Sequence, residues 1–240
     1  MLAREIRQFL LILALGTAAA AQNAATANTA PPNAAPHPAT ITFDFSWPGA
    51  IPDHYTVTVE STGRSSYQSN GPVVPDAVSG EPYMLKFTTS DATRVRLFKL
   101  AEQVNFFQGD FEYKKGRIAF TGTKTVTFDD GQRRYQTSYN WSQNPVIQQV
   151  TDLFGGISAT LESGRKLTYL YRHDKLGLDA ELKNIVEMSD HKRLEELQLI
   201  EPILKQIDED TSVLHIARRN AEKLLNRARY GPPSEGGPTQ

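Results

Sequence analysis

Residues 88–107 read TTSDATRVRLFKLAEQVNFF, and the assignment of this stretch decides the fold. Ser90 is placed to cap a helix, because its hydroxyl can accept from an amide one turn on. Asp91 follows with negative charge at the positive end of the helix dipole. Val95, Leu97, Phe98, Leu100, Ala101 and Val104 then form one broad apolar face, with Arg96, Lys99 and Gln103 opposite. The spacing predicts a helix over 91–105 whose apolar face needs a cover.

The flanking sequence supplies that cover as strands. Upstream, Ile41, Phe43, Phe45 and Trp47 alternate with Thr42, Asp44 and Ser46. Tyr55, Val57 and Val59 alternate with Thr56, Thr58 and Glu60. The turn STGRSS then leads to a returning strand through Tyr67, and Tyr83, Leu85 and Phe87 alternate in their turn. A period of two is the mark of a half-buried strand. Downstream, Ile118 and Phe120 alternate, then Val126 and Phe128. Asp130-Gly131 sets a hairpin turn, and Tyr135, Thr137, Tyr139 and Trp141 return on one face. Leu97, Ala101 and Val104 are therefore expected beneath an antiparallel sheet.

After Pro145 the period changes to 3.6. Asn144 reads as a cap and Pro145 as a first-turn proline. Val146, Ile147, Val150, Leu153 and Phe154 follow on one side, and the pair Gly155 and Gly156 is expected to interrupt the helix. Further helical runs carry Ile157 to Tyr171, Leu182 to Met188, and Leu194 to Ile207. Pro202 in the last of these predicts a kink or restart. A final helix sets Val213, Ala217, Ala221, Leu224 and Ala228 on one stripe, with Asp210 or Thr211 as its cap. Its small residues suit close approach to a neighbour. The class expected is α+β: an antiparallel sheet packed by one helix, followed by a C-terminal helical hairpin or small bundle. The division is signal peptide 1–21, Ala/Pro-rich linker 22–39, sheet-plus-helix domain 40–144, helical region 145–229 and disordered tail 230–240.

The N-terminus points to export. Arg4 and Arg7 precede an apolar run that ends in small residues, with Ala19 and Ala21 at the −3 and −1 sites of a cleavage signal. The run is shorter than the roughly 20 residues a spanning helix needs. Residues 22–39 are rich in Ala, Pro and Asn and have little to bury. The chain has no cysteine, which removes disulfides, thiolate catalysis and Cys-ligated zinc. A net charge of −1 speaks against a general nucleic-acid binder. A periplasmic or extracellular protein, with no membrane span after signal cleavage, is the expectation.

No catalytic motif appears. His37, His54, His173, His191 and His215 form no metal-ligand spacing. His173 and Asp174 are sequence neighbours and need not touch on a helix. Serines lack the nucleophile-elbow context, and residues 154–158, FGGIS, are a bend rather than a phosphate cradle. Asp129 and Asp130 suit a hairpin better than a calcium loop. Aromatics Trp47, Tyr55, Tyr67, Tyr83, Tyr135, Tyr139 and Trp141 suit sheet packing, or else a stripe for sugars, peptides or single strands. Lys114, Lys115, Arg117, Arg133 and Arg134 read as a solvated rim. No residue is assigned as catalytic, cofactor-binding or metal-ligating, and no cofactor is expected.

The order YTVTVESTGRSSYQSN, strand, TSDATRVRLFKLAEQVNFF, TVTFDDGQRRYQTSYNW and NPVIQQVTDLF resembles the emfourin-type secreted metalloprotease inhibitors, and exported bacterial domains of the same layout, over about 55–154. In that layout an alternating hairpin precedes a helix ending in Phe-Phe, and a second hairpin and a short closing helix follow. The glycine-rich inhibitory signature of the family has no counterpart near the first hairpin, so no inhibitory residue carries over. The leading expectation is a non-catalytic exported module that binds another envelope or secreted protein through its sheet edge or helical half. A secreted protease inhibitor is the alternative. A hydrolase with dispersed residues such as Asp53, His54 or His173 is the third.

Overall fold

The computed structural model describes residues 37–73 and 82–231. The expected alternation becomes six strands: β1 (Thr40–Ser46), β2 (His54–Glu60), β3 (Arg64–Asn70), β4 (Tyr83–Thr88), β5 (Thr123–Asp129) and β6 (Arg134–Tyr139). They form one antiparallel sheet in the order β4-β3-β2-β1-β5-β6. Register is set by the apolar positions, since a one-residue slip would turn every buried side chain outward. Ile41 lies between Val59 and Phe128, and Phe43 between Val57 and Val126. Lys124 pairs with Tyr139 across the last hairpin.

Five helices follow in the chain order: α1 (Asp91–Gln103), α2 (Pro145–His173), α3 (Leu178–Asp190), α4 (Glu201–Glu209) and α5 (His215–Tyr230), of which α1 and the first half of α2 pack on the sheet. The fold is α+β, with a C-terminal helical region after the sheet. Ser90 caps α1 as expected, its hydroxyl accepting from the Thr93 amide at 3.3 Å. Leu97, Ala101 and Val104 are buried, in one core with Phe43, Val57, Val126 and Tyr139. Val95, read as part of that face, is exposed.

Four expectations need correction. The first concerns Gly155 and Gly156, which do not interrupt the helix: α2 runs unbroken through them for 29 residues. The physical reason is close packing. A Cβ on Gly156 would sit 2.8 Å from Glu195 Cγ, and one on Gly164 would overlap Ile200 Cγ2. These glycines admit the 195–200 segment against the helix, which outweighs a propensity cost of about 1 kcal/mol each. The short closing helix of the inhibitor-like layout is therefore a long central one.

The second correction is at Ile118 and Phe120, which form no strand and are exposed. Two alternating residues beside Gly116 and Gly122 are too few to hold a register. Trp47, third, lies just past the end of β1 and is 40 % exposed. Last, neither Asp210 nor Thr211 caps α5. The cap position falls on Leu214, with no side-chain bond. Asp210 is engaged instead by Tyr171 at 2.9 Å, Lys175 at 2.6 Å and Ser212. Those contacts hold its carboxyl well below the usual carboxylate range, the Lys175 hydrogen bond foremost.

Pro202 marks a restart, as expected: a 3-10 turn over Leu197–Ile200 gives way to α4 with the proline in its first turn. Ala217 and Ala221 are fully buried where α5 crosses α3 and α4. Two apolar cores result. One lies between the sheet, α1 and the first half of α2, up to Leu161. The other gathers Leu167 and Leu170 with α3, α4 and α5. The one long helix contributes to both. The expected signal peptide, most of the expected linker and the tail beyond Gly231 lie outside the described residues.

Candidate functional site: the groove beside the edge strand

Strand β4 closes one edge of the sheet. Among the described residues it has a partner, β3, on one side only. Alternate residues of an antiparallel edge strand direct N–H and C=O groups away from the sheet. A row of unpaired backbone groups of this kind is a template for a further strand.

The inward side chains of β4 do not meet a closed core. Tyr83 and Leu85 are half-buried and form one wall of a groove of about 280 Å³. Leu161 and Thr168 of α2 form the opposite wall, and Ile200 and Ile203 the end. Gly164 lies in the lining as well, where its missing Cβ lets Ile200 pack against the helix. Arg165 is the one charged side chain among the described lining residues.

A polar network fixes that wall. Tyr67 donates to Glu162 Oε1 at 2.9 Å and accepts from Ser158 at the same distance. Ser69 donates to the same carboxylate oxygen. Arg165 reaches the Gly71 carbonyl at 3.1 Å and lies 5.0 Å over the Tyr83 ring. Burial pushes the Tyr67 hydroxyl far above its usual range, and the adjacent Glu162 carboxylate pushes the same way. Burial raises Tyr83 also. Tyr67 thus remains a neutral donor that ties β3 to α2, and the spacing between β4 and the helix is rigidly set.

The residues considered for catalysis are dispersed. His54 begins β2, where its Nε2 lies 2.8 Å from Asp44 Oδ2, not on Asp53. Thr56 donates to the same Asp44 oxygen, on the outward polar face of the sheet. His173 ends α2, its ring tilted against Tyr169 at 4.7 Å between centroids, while the Asp174 carboxylate accepts from the Gly177 amide. Among the described residues no three His, Asp or Glu side chains are grouped as metal ligands. The aromatics mostly pack: Tyr55, Tyr67 and Tyr139 are buried on the inner face of the sheet. The basic residues of the rim are largely paired, Lys114 with Asp110, Arg133 with Asp130 and Arg134 with Asp129. Asp129 and Asp130 also accept amides of their own turn, the hairpin role expected of them.

No family model matches the chain, and no curated protein matches it.

Sequence reasoning named the sheet edge as one binding surface but missed the groove itself. The alternation of Tyr83 and Leu85 was the available signal. Their half-exposure depends on residues 76 to 120 positions away, which no local pattern reveals.

Proposed function

We propose that this protein is an exported, non-catalytic module that binds another protein by holding an extended segment of it against β4. The observation that carries this reading is an edge strand whose inward side chains open directly into an apolar groove. An added strand would use the free backbone groups of β4 for affinity. Alternate side chains of that strand, about 6.5–7 Å apart, would enter the groove for specificity. Arg165 already bonds Glu162 at 3.4 Å and the Gly71 carbonyl, and its remaining N–H groups favour an acidic residue beside the apolar ones. Export is supported by the charged start, apolar run and small-residue exit of residues 1–21. No described helix is long and apolar enough to cross a membrane.

The test is a photo-cross-linking amino acid at Met84, an exposed residue of β4, in the full chain expressed in its native envelope. The reading expects a cross-linked partner whose contact peptide is apolar at alternate positions and carries an acid. Thr168→Trp, which fills the groove, should abolish the product while leaving the thermal melt intact. A probe at Gln136 on the opposite edge should give no such product. Equal products from both edges, products indifferent to Thr168→Trp, or none from Met84 would contradict the reading.

A further inference from the structure

A second concavity lies at the other end of α2 and has different chemistry. Its floor is apolar: Phe45 stacks on Tyr55 with ring centroids 5.0 Å apart. Its volume is about 440 Å³. It adjoins a smaller space of about 240 Å³, lined by Trp141 and Gln148, through shared Lys124, Thr151 and Asp152. Gly155 leaves one side open, since a Cβ there would meet nothing within 4 Å.

Its wall is cationic. Lys124, Lys192 and Arg193 line the space against one carboxylate, Asp152, an excess of two positive charges before His191 is counted. Lys124 is inward and committed: its ammonium donates to the carbonyls of Thr121, Gly122 and Asn140 at 2.7–3.0 Å. Lys192 and Arg193 are exposed, and among the described residues neither forms an ion pair. Their position is nonetheless built. Lys192 holds a left-handed backbone at φ 55°, and so does Glu196 at φ 59°. Strained backbone of this kind persists only where its surroundings over-determine it. Here the Arg193 amide donates to Met188 O at 2.9 Å, the Glu195 carbonyl accepts from Thr160 at 2.7 Å, and Glu196 binds the start of α1.

We propose that this cleft binds a small organic anion, with its carboxylate or phosphate against Lys192 and Arg193 and a flat apolar body over Phe45 and Tyr55. The charge excess selects the anion, the stacked rings select the body, and the missing side chain at Gly155 provides the space. The proposal is independent of the β4 groove, which lies on different residues.

The test uses phenyl phosphate, benzoate, inorganic phosphate and neutral benzyl alcohol, titrated into the full chain and followed by calorimetry and by the fluorescence of its two tryptophans, Trp47 and Trp141. Saturable binding of phenyl phosphate or benzoate is expected, at least about tenfold tighter than benzyl alcohol. Lys192→Ala with Arg193→Ala should weaken it by about tenfold or more, a charge-contact effect. Lys205→Ala, remote on α4, should not. Gly155→Phe should abolish binding by filling the cleft; the double alanine variant, confined to exposed side chains, decides the matter if that protein fails to fold. Binding of neither aromatic anion, or binding unchanged by the double variant, overturns the site. Inorganic phosphate bound as tightly as phenyl phosphate overturns the apolar half.

Discussion

Three glycines of α2 look alike in sequence and differ in what they face. Gly164 accommodates Ile200, Gly156 accommodates Glu195, and Gly155 faces open space. Alanine has the higher helix propensity at all three, so contact alone sets the sign. Gly155→Ala should stabilise the protein by about 0.5–1 kcal/mol, from lower chain entropy in the unfolded state. Gly164→Ala should cost about 1–3 kcal/mol, because its Cβ would overlap a fully packed isoleucine. Urea unfolding of the two variants checks both, and equal effects would show that the 195–200 segment does not lie against the helix.

Among elements, the start of α1 is tied to the segment before α4 by one buried carboxylate. Glu196 accepts from the Ser90 amide at 2.9 Å and from its hydroxyl at 2.6 Å. Its charge thus sits at the positive end of α1. Arg96 and Glu195 add a second bridge at 2.9 Å, and burial raises the Glu195 carboxyl above its ordinary value despite that partner. Glu196→Ala should cost about 1–2 kcal/mol. It should also raise amide exchange in the first turn of α1, measured by hydrogen exchange, while β5 and β6 stay protected. Ser90 was legible as a cap because capping is local. Its carboxylate partner lies 106 residues on, and no spacing rule points to it.

The same division explains the rest of what the sequence disclosed. Strands β1, β2 and β5 were legible because their inner positions are mostly apolar, Lys124 at the start of β5 being the buried exception. Ile118 and Phe120 carried the same alternation over too short a run. The double glycine read as a break because propensity is local and the close approach that overrides it is not. The edge groove and the cationic cleft each draw on segments far apart in sequence, so neither appeared as a motif.

At the scale of the whole molecule, the inner face of the sheet holds tyrosines out of water. Burial pushes Tyr139 up to about 12. Tyr55 and Tyr67 are raised further, again by burial first. Each titrates near pH 10 in the unfolded chain (about 10). Their folded values are raised, so their contribution is fully present below that pH and is lost as pH climbs through the folded values. Alkaline titration should therefore show tyrosinate absorbance from the exposed tyrosines first. The buried three should appear late, together with loss of the circular-dichroism signal. Early, reversible ionisation of all nine tyrosines would contradict the buried placement.

Both proposed sites depend on α2, which lines the groove with Leu161 and Thr168 and the cleft with Thr151 and Gly155. That helix also carries side chains into both cores. Continuity through Gly155 and Gly156 carries one unbroken helix from the core under the sheet into the core of the helical region. Native-state hydrogen exchange tests this most directly. The amides of Ile157 and Leu161 should open only with global unfolding, at the same free energy as Val126 in the sheet and Leu204 in α4. Fast exchange at Ile157, or separate unfolding of the sheet and the C-terminal helices, would contradict it.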